Sequence, residues 1–265
     1  MRCLVRDPRE LGPERVRVGL ILGDLADPSS FRHAMRGVDC VVHLATATRD
    51  CPRASIEELN GLATLRLARA AEHAGVSRFL LLSTLGASRH SSARYLRSRA
   101  LAEEAVTAGS FESTIVASSL VLSPGDRLLT LLERLSWLPA VPIPGTGRAR
   151  FQPISAEDVA SCVLAALEEP ATGRFDLAGP DTVTYEELVG AVLRARSRRR
   201  RRLHVPARVI RGGLRGLERA VGPTALATSD EVMLLGVSMI TERGTADAER
   251  LGVRPLRLSA VVADG

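Results

Sequence analysis

A tyrosine and an arginine stand four positions apart in this sequence, and this pair is of a type and spacing that could do chemistry. Tyr95 and Arg99 belong to the stretch Y-L-R-S-R, inside a segment with a helical pattern, and positions i and i+4 of a helix lie on one face. A cation beside a tyrosine hydroxyl prepares it to exchange a proton with a carbonyl or an alcohol. Arginine supplies that charge but does not release a proton. The alternative is that Tyr95 is a half-buried helix residue without a chemical role.

The cysteines and histidines do not indicate a metal site. Cys3, Cys40, Cys51 and Cys162 are scattered without C-x-x-C spacing, so we interpret them as reduced thiols of a cytoplasmic protein. The histidines show no ligand spacing either. His43, inside the apolar run V-V-H-L-A, is predicted to be a core residue.

The chain is strongly basic, with a formal net charge of +6 and a pI near 10. A basic surface is typical of nucleic-acid binding. However, all 36 basic residues are arginine and Asn60 is the only asparagine. This bias is expected of GC-rich coding and acts on the whole chain. We therefore predict no nucleic-acid partner.

One segment nevertheless concentrates the arginines. Residues 198–202 are five consecutive arginines. Farther on, arginines recur every three or four residues, at Arg208, Arg211, Arg215 and Arg219. Apolar residues occupy the other faces of the predicted helix: Val209, Ile210, Leu214, Leu217 and Val221. A basic amphipathic helix suits an anionic membrane surface or an acidic partner. The alternative is a solvated face over the core, since Gly212, Gly213 and Gly216 weaken the helix.

Apolar runs alternate with helical patterns along most of the chain. We predict strands at 2–6, 16–25, 38–45, 77–84, 113–119 and 173–179. We predict helices at 29–37, capped by Ser29 or Ser30, and at 55–75, 93–109, 155–169 and 184–195, the last with a Thr184–Glu187 capping box. Continuous apolar strands alternating with helices indicate an α/β fold with a parallel sheet.

Seven segments carry a resemblance to a known family. In chain order they are RCLVRDP, GDLADPSSFRHAMRGVDCVVHLA, AAEHAGVSRFLLLSTLGA, YLRSRALAEEAV, PGDRLLTLLERL, PIPGTGRARFQPISAEDVA and FDLAGPDTVTYEEL. They resemble the extended or atypical short-chain dehydrogenase/reductases, above all the branch of the NAD(P)H-binding accessory subunit of respiratory complex I. The resemblance implies a Rossmann-like, doubly wound parallel sheet in the order 3-2-1-4-5-6, with a dinucleotide across the strand carboxyl ends.

The family's first strand carries V-x-V-x-G-x-x-G-x-x-G, whose glycines let backbone N–H groups approach the pyrophosphate. This sequence has no such motif, and R-C-L-V-R-D-P matches the family's second strand. We therefore expect a Rossmann-like sheet lacking its first strand, in a chain that begins roughly thirty residues late. A mis-called start is favoured over a natural truncation. Without the glycine loop, dinucleotide binding would be weakened.

The alternation of strands and helices breaks between Asp126 and Gly147 and again after Gly179, which indicates additions that form a lobe over one end of the sheet. We predict a nucleotide-binding Rossmann-like domain over residues 1–178. We predict a smaller C-terminal lobe over 179–265, packing with 126–150, that receives a substrate or partner.

Several positions match the family's dinucleotide contacts. Arg6 follows the second strand, where NAD-binding members carry an acid for the ribose hydroxyls, and an arginine there suits the 2′-phosphate of NADP. We therefore predict NADP, with NAD as the alternative cofactor. The other predicted cofactor contacts are Asp24 and Leu25 beside the adenine, Ala45 and Thr46 at a strand end, Asn60 on the next helix, Ser83, Tyr95, Arg99 and Ser119. The alternatives are that Arg6 is a surface arginine, that Asp24 belongs to a turn before a helix, and that Asn60 is an exposed polar residue of a helix.

Tyr95 and Arg99 match the family's catalytic Y-x-x-x-K, with Thr84 as the nearby hydroxyl, although Leu85 stands at the best-aligned position for it. Two departures are evident. Arginine replaces the lysine, and the family's R-P-S-x-x-x-G-P-G-D becomes A-S-S-L-V-L-S-P-G-D, which retains Ser119.

Two functions follow from the resemblance. The first is an NADP-dependent oxidoreductase acting on a small, apolar or quinone-like compound. The second is a non-catalytic dinucleotide-binding structural or sensory protein like the complex I subunit. The helical stripe of Leu128, Leu131, Leu132 and Leu135 is either core or a lipophilic substrate wall. We expect a cytoplasmic protein, at most peripheral to a membrane, since no run approaches the ~18 apolar residues of a membrane helix.

Overall fold

The structure is a computed structural model that describes residues 1–169, 171–222 and 227–263. The side chains of Glu10, Ala220 and Val221 lie outside this description, and with them the apolar role predicted for Val221. Its strands are β1 (Arg2–Val5), β2 (Gly19–Leu22), β3 (Cys40–His43), β4 (Arg78–Thr84), β5 (Glu112–Ser118), β6 (Val121–Leu122), β7 (Ala140–Pro144), β8 (Arg150–Phe151), β9 (Ile154–Ser155), β10 (Gly173–Leu177), β11 (Val183–Thr184) and β12 (Arg201–Val205).

The helices are α1 (Pro28–Phe31), α2 (Ala63–His73), α3 (Arg94–Thr107), α4 (Arg127–Leu135), α5 (Ala156–Glu168), α6 (Tyr185–Ala195), α7 (Ala207–Val221), α8 (Ser229–Leu234), α9 (Ala246–Arg250) and α10 (Leu258–Ala263). Two 3₁₀ segments (Pro8–Val16 and Arg32–Met35) lie beside β2 and α1, and a π-helical turn (Glu58–Leu62) leads into α2. No helix in the described ranges is long and apolar enough to cross a membrane.

Parallel strands form the centre of the molecule. One sheet has the order β10-β5-β4-β3, and β1 and β2 form a second parallel ladder. Within the described residues these two ladders are not hydrogen-bonded to each other, so β1 and β3 each keep one edge without a strand partner. The predicted α/β class with parallel strands is confirmed.

Helices cover both faces of the four-stranded sheet. Phe79 and Leu80 are consecutive in β4, so their side chains point to opposite faces. Phe79 is buried in a core that includes residues of α2 and α3, and Leu80 in a core that includes residues of α5. The doubly wound arrangement that the sequence predicts is therefore present.

The segments that break the strand–helix alternation build a third core. It joins α4, α6, α10 and β7 through buried residues such as Leu132, Leu188, Val261 and Ile143. Leu128 and Leu135 pack against the same cluster. This burial favours core packing over a substrate wall for the leucine stripe of α4.

Two local predictions differ from the structure. The N-cap of α1 is Asp27, whose carboxylate accepts a hydrogen bond from Ser29 N at 3.0 Å, whereas Ser30 Oγ accepts from Asp24 N at 2.9 Å. The strand predicted at 16–25 is shortened to Gly19–Leu22, because Val16 ends the preceding 3₁₀ segment. The capping box of α6 is confirmed, with Glu187 N donating to Thr184 Oγ1 at 3.2 Å.

Candidate dinucleotide site

Helix α3 positions the predicted catalytic pair. No side chain caps its N-terminus, and Arg94, its first residue, is held instead by three carboxylates from other parts of the chain. Arg94 contacts Glu57 at 2.6 Å, Asp50 at 2.9 Å and Asp230 at 3.1 Å. Hydrogen bonds with Glu57 and Asp50 raise the pKa of this guanidinium above its usual range. These ion pairs fix the start of the helix directly before Tyr95.

Arg99 is the most unusual residue of the site. Its side chain is 1% exposed, and Nη2 donates to the carbonyl oxygen of Leu82 in β4. Nε and Nη1 are buried and have no hydrogen-bond partner. Burial lowers the pKa of the guanidinium, although the nearby Tyr95 and Glu103 oppose the shift. Each unsatisfied buried donor costs about 1–3 kcal/mol, which a ligand rich in hydroxyl or phosphate oxygens would recover.

The Tyr95 hydroxyl meets the loop that follows β3. It lies 3.3 Å from Thr46 Oγ1, which also donates to Asn60 Oδ1 at 3.3 Å. Asn60 Oδ1 accepts from Ala47 N at 3.0 Å, and Asn60 Nδ2 donates to the carbonyl oxygens of Ala47 and Ile56 at 2.8 and 3.0 Å. Asn60 is fully buried in the π-helical turn, so it is not an exposed helix polar group. Its amide positions the loop, and neighbouring Ala45 and Thr46 are exposed.

A second buried contact supports the same turn. Thr64 Oγ1 donates to the carbonyl oxygen of Asn60 at 2.5 Å, and His43 Nε2 lies 3.0 Å from Thr64 Oγ1. Since the single hydroxyl proton of Thr64 is engaged, His43 Nε2 is the donor to it. Burial, with a smaller effect of Arg99, lowers the pKa of His43 to about 3. His43 is thus a neutral core histidine, as the sequence predicts.

Ser83 belongs to a polar layer beneath α3. Its hydroxyl donates to Glu103 Oε1 at 2.5 Å, and Arg174 contacts Glu103 at 2.6 Å and Asp176 at 2.8 Å. Sequence reasoning missed Glu103, although it lies four residues after Arg99 on the same helical face. That spacing was the available signal.

Thr84 and Ser119 are joined to the C-terminal part of the chain. Thr84 Oγ1 is buried, 3.3 Å from the Ser118 carbonyl oxygen and 3.8 Å from Met239 Sδ. Ser119 Oγ donates to the Met239 carbonyl oxygen at 2.6 Å and accepts from Gln152 N at 3.0 Å. These contacts favour structural roles for both hydroxyls over contact with a substrate or a nicotinamide ring.

The predicted adenine end lies at the carboxyl ends of β1 and β2. Val5 pairs with Leu22, so Arg6 and Asp24 follow neighbouring strands. Arg6 is exposed, and its side chain has no ion pair or hydrogen bond within the described residues. Asp24 Oδ1 accepts from Ala26 N at 2.9 Å, and its carboxylate lies 3.5 Å from Arg53. Leu25 packs against the core beneath α2.

The short helix α8 is fastened to the loop after β3. Arg49 Nη2 donates to both carboxylate oxygens of Glu231, each at 2.8 Å. Thr48 Oγ1 donates to the same carboxylate at 3.1 Å. A cleft of about 420 Å³ opens beside these contacts. It is lined by Asp50, Arg94, Arg215, Glu218, Arg219, Ser229 and Asp230. No local sequence pattern predicts the contacts of Glu231 with Thr48 and Arg49, because more than a hundred residues separate these partners in the chain.

Residues 1–170 match the model of a family described as NAD(P)H-binding. The chain belongs to this NAD(P)H-binding family. It is 33% identical over 173 residues to the mitochondrial NADH dehydrogenase [ubiquinone] 1 alpha subcomplex subunit 9 of Arabidopsis thaliana, which covers 62% of this chain and 42% of the relative. A ceramide reductase of Caulobacter vibrioides is 27% identical over 209 residues, covering 77% of this chain and 65% of the relative. The chain spans about half the length of the complex I relatives that it matches.

The fold of this family member is shared with solved structures. An NADPH-dependent quinone oxidoreductase of Escherichia coli, complexed with NADPH, superposes with a TM-score of 0.76 at 14% identity, covering 99% of this chain and 89% of the other. The predicted Rossmann-like fold and the predicted resemblance to the complex I subunit are both confirmed. The family supports a nicotinamide dinucleotide as the cofactor, and the two orphaned donors of Arg99 fit its anionic, hydroxyl-rich chemistry.

None of the described residues forms a group of three or more His, Cys, Asp or Glu side chains that could hold a metal ion. All four cysteines are free thiols. Burial raises the pKa of the Cys162 thiol to about 12, so it is inert at neutral pH.

Proposed function

We propose that this protein is an NADP-dependent oxidoreductase that transfers a hydride between a nicotinamide and a small, apolar carbonyl or quinone-like compound. The observation that carries the proposal is Arg99. A buried guanidinium with two unpaired donors, one helical turn from an accessible tyrosine hydroxyl, is costly to keep unless a ligand completes it. Such local cost is typical of a binding site.

In this proposal each residue has a separate task. Arg99 Nε and Nη1 would donate to ribose hydroxyl or phosphate oxygens, and the Tyr95 hydroxyl would exchange a proton with the substrate. Thr46 would hold the tyrosine hydroxyl, and Asn60 would hold the loop that carries Thr46. When bound, the nicotinamide supplies the hydride. The other predicted contacts, Ala45 and Leu25, would act through backbone position and packing.

The preference for NADP rests on Arg6. Its exposed guanidinium has no partner in the described part of the chain. Arg6 follows β1, and Asp24 lies two residues after the end of the neighbouring strand β2. A free guanidinium suits a 2′-phosphate, which it can bind through two parallel hydrogen bonds.

The proposed substrate is apolar because the chain resembles a ceramide reductase and shares its fold with a quinone oxidoreductase. Compounds of either kind partition into lipid, so the proposed place of action is the cytoplasm at a membrane surface. We further propose that residues 1–178 form the dinucleotide-binding domain and that residues 179–265, with 126–150, form a lobe that receives the substrate. The cleft between α3, α7 and α8 supports that arrangement.

Calorimetric titration of NADPH and NADH tests the proposal. We expect NADPH to bind more tightly, Arg99→Met to weaken both dinucleotides at least about tenfold, and Arg6→Ala to abolish the preference for NADPH. Arg66→Met, an exposed arginine of α2, is the matched control and should bind like the unchanged protein. Unaltered binding by Arg99→Met would refute the assignment of the site.

A second function is favoured by a specific observation. The Thr84 and Ser119 hydroxyls are engaged by Met239 and its neighbours, and arginine stands where the family has its proton-relaying lysine. These features suit a non-catalytic dinucleotide-binding protein. NADPH oxidation with quinones of increasing chain length separates the two functions. Binding of NADPH without turnover of any of these acceptors would establish the second.

A further inference from the structure

We propose that one face of this protein docks on an anionic lipid bilayer. We call it the arginine–tryptophan face, and it consists of Trp137, Leu138, Pro142, Arg199, Arg201, Leu203, Arg208 and Val209. It is separate from the dinucleotide site and does not depend on the redox function.

The pairing of β12 with β7 creates this face. The two strands form a parallel ladder in which Arg202 pairs with Val141 and Leu203 with Pro142. Cross-strand partners in a ladder share one face, and successive residues alternate. Val141 is buried in the core, and Arg202 on the same side contacts Glu186 at 3.5 Å. Leu203, in the alternate position, therefore points outward, as does Arg201.

Large apolar side chains are also exposed in the segments that flank this ladder. Trp137 is 73% exposed and Leu138 43% exposed, and both lie within three residues of the start of β7. Leu203 is 58% exposed, and Val209, in the first turn of α7, is 62% exposed. Single exposed apolar residues need no explanation, but several near one two-stranded ladder indicate an interaction surface.

The indole of Trp137 is held in place by the arginine run. The Arg198 guanidinium lies 3.4 Å from the centre of the indole ring, and its Nη1 donates to Ser136 Oγ at 2.8 Å. Arg200 Nε donates to the Ser136 carbonyl oxygen at 3.0 Å. Arg198 and Arg200 thus hold an exposed aromatic ring in a fixed position.

The charge of the face is uncompensated. Residues 188–217 contain ten arginines and no Asp or Glu. In the described part of the chain, the side chains of Arg199, Arg201 and Arg208 have no carboxylate or hydrogen-bond partner. By contrast, Arg215 and Arg219 line the cleft with Asp50 and Asp230. Only the first part of α7 therefore contributes to the docking face.

The mixture of side chains favours a bilayer over an acidic protein. Tryptophan is suited to the headgroup region, where its ring is partly buried and its N–H meets water. Arginines can extend their guanidiniums to phosphates while their stems cover apolar surface. Arginine-rich coding explains the abundance of arginine, but it does not explain why the single tryptophan and three aliphatic side chains lie exposed beside them.

Trp137 is the only tryptophan, so its fluorescence reports directly on the face. We expect the full chain to bind vesicles of phosphatidylcholine with 30 mol% phosphatidylglycerol, and to bind neutral phosphatidylcholine vesicles at least tenfold more weakly. On the anionic vesicles its emission should shift to the blue and be quenched by brominated acyl chains.

Matched variants distinguish binding through this face from binding through the net charge of the protein. Replacing Arg199, Arg201 and Arg208 by Gln should weaken binding at least tenfold. Replacing Arg32, Arg66 and Arg254, three exposed arginines elsewhere, removes the same charge and should change binding less than threefold. Leu203→Ser with Val209→Ser should reduce the quenching, whereas Leu164→Ser, at an exposed leucine of α5, should not. Circular dichroism checks that each variant is folded.

Three results would overturn the proposal. Equal binding to neutral and anionic vesicles would exclude a charge-directed bilayer contact. Equal losses in the two arginine triples would assign binding to net charge alone. Saturable binding of polyglutamate with the same fluorescence shift, and no quenching by brominated lipid, would point to an acidic protein instead.

Discussion

The hydroxyls of Thr46 and Tyr95 lie 3.3 Å apart, although 49 residues separate them in the chain. The contact joins the loop after β3 to the first turn of α3, so it spans the gap between two predicted parts of the dinucleotide site. Through Asn60 and Thr64 it continues to His43 in the core. The position of the proposed acid is therefore set by a chain of hydrogen bonds that leads from the exposed Thr46 to the buried Asn60, Thr64 and His43.

The tyrosine itself can be tested by Tyr95→Phe. We expect NADPH affinity to change less than about threefold, because the ring and the donors of Arg99 remain. Turnover should fall by about 10²–10⁴, the usual effect of removing a general acid. Calorimetry and a steady-state assay measure the two effects separately. A variant that retains full activity would remove Tyr95 from the reaction.

Asn60→Ala should destabilise the fold and displace the loop. The substitution removes four hydrogen bonds and leaves Ala47 N and the Ala47 carbonyl oxygen without their partner. We expect a loss of about 2–4 kcal/mol in the free energy of unfolding, measured by urea titration. The exposed Arg66→Ala serves as the control on the neighbouring helix. A loss below about 0.5 kcal/mol would show that the loop does not depend on this amide.

Arg99→Met should stabilise the ligand-free protein while weakening dinucleotide binding. The guanidinium is buried with two unsatisfied donors, and an apolar side chain of similar length avoids that cost. We expect a gain of about 1–3 kcal/mol in the free energy of unfolding. Urea titration without dinucleotide gives the value. Lower stability in this variant would mean that Arg99 holds the fold rather than a ligand.

His43 should make stability depend on pH. Its folded-state pKa, about 3, lies below the ordinary 6.5, so the unfolded chain binds a proton first as the pH falls. Stability from this group is complete above pH 6.5 and declines toward pH 3, by about 1.4 kcal/mol per pH unit. His43→Gln should flatten the decline between pH 6 and 4, whereas the exposed His90→Gln should leave it unchanged. Identical slopes for all three proteins would contradict the buried neutral histidine.

Much of the fold was predictable because it depends on short-range patterns. Alternating apolar runs and helical repeats predicted the parallel strands, and the Thr184–Glu187 box predicted the start of α6. Tyr95 and Arg99 share a face because helical geometry acts over four residues. The ordered motifs predicted the NAD(P)H-binding family, which residues 1–170 match.

The partners of the site residues were not predictable, because contacts between distant segments decide them. Asn60 could be an exposed helix polar group until the loop after β3 folds over it and occupies its amide. Thr84 and Ser119 were predicted to contact the substrate or the cofactor, but in the folded chain their hydroxyls contact Met239. Trp137 meets Arg198 only because β12 pairs with β7. Sequence periodicity determines which face of an element is apolar, whereas tertiary packing determines which polar groups are satisfied and which, like Nε and Nη1 of Arg99, have no partner among the described residues.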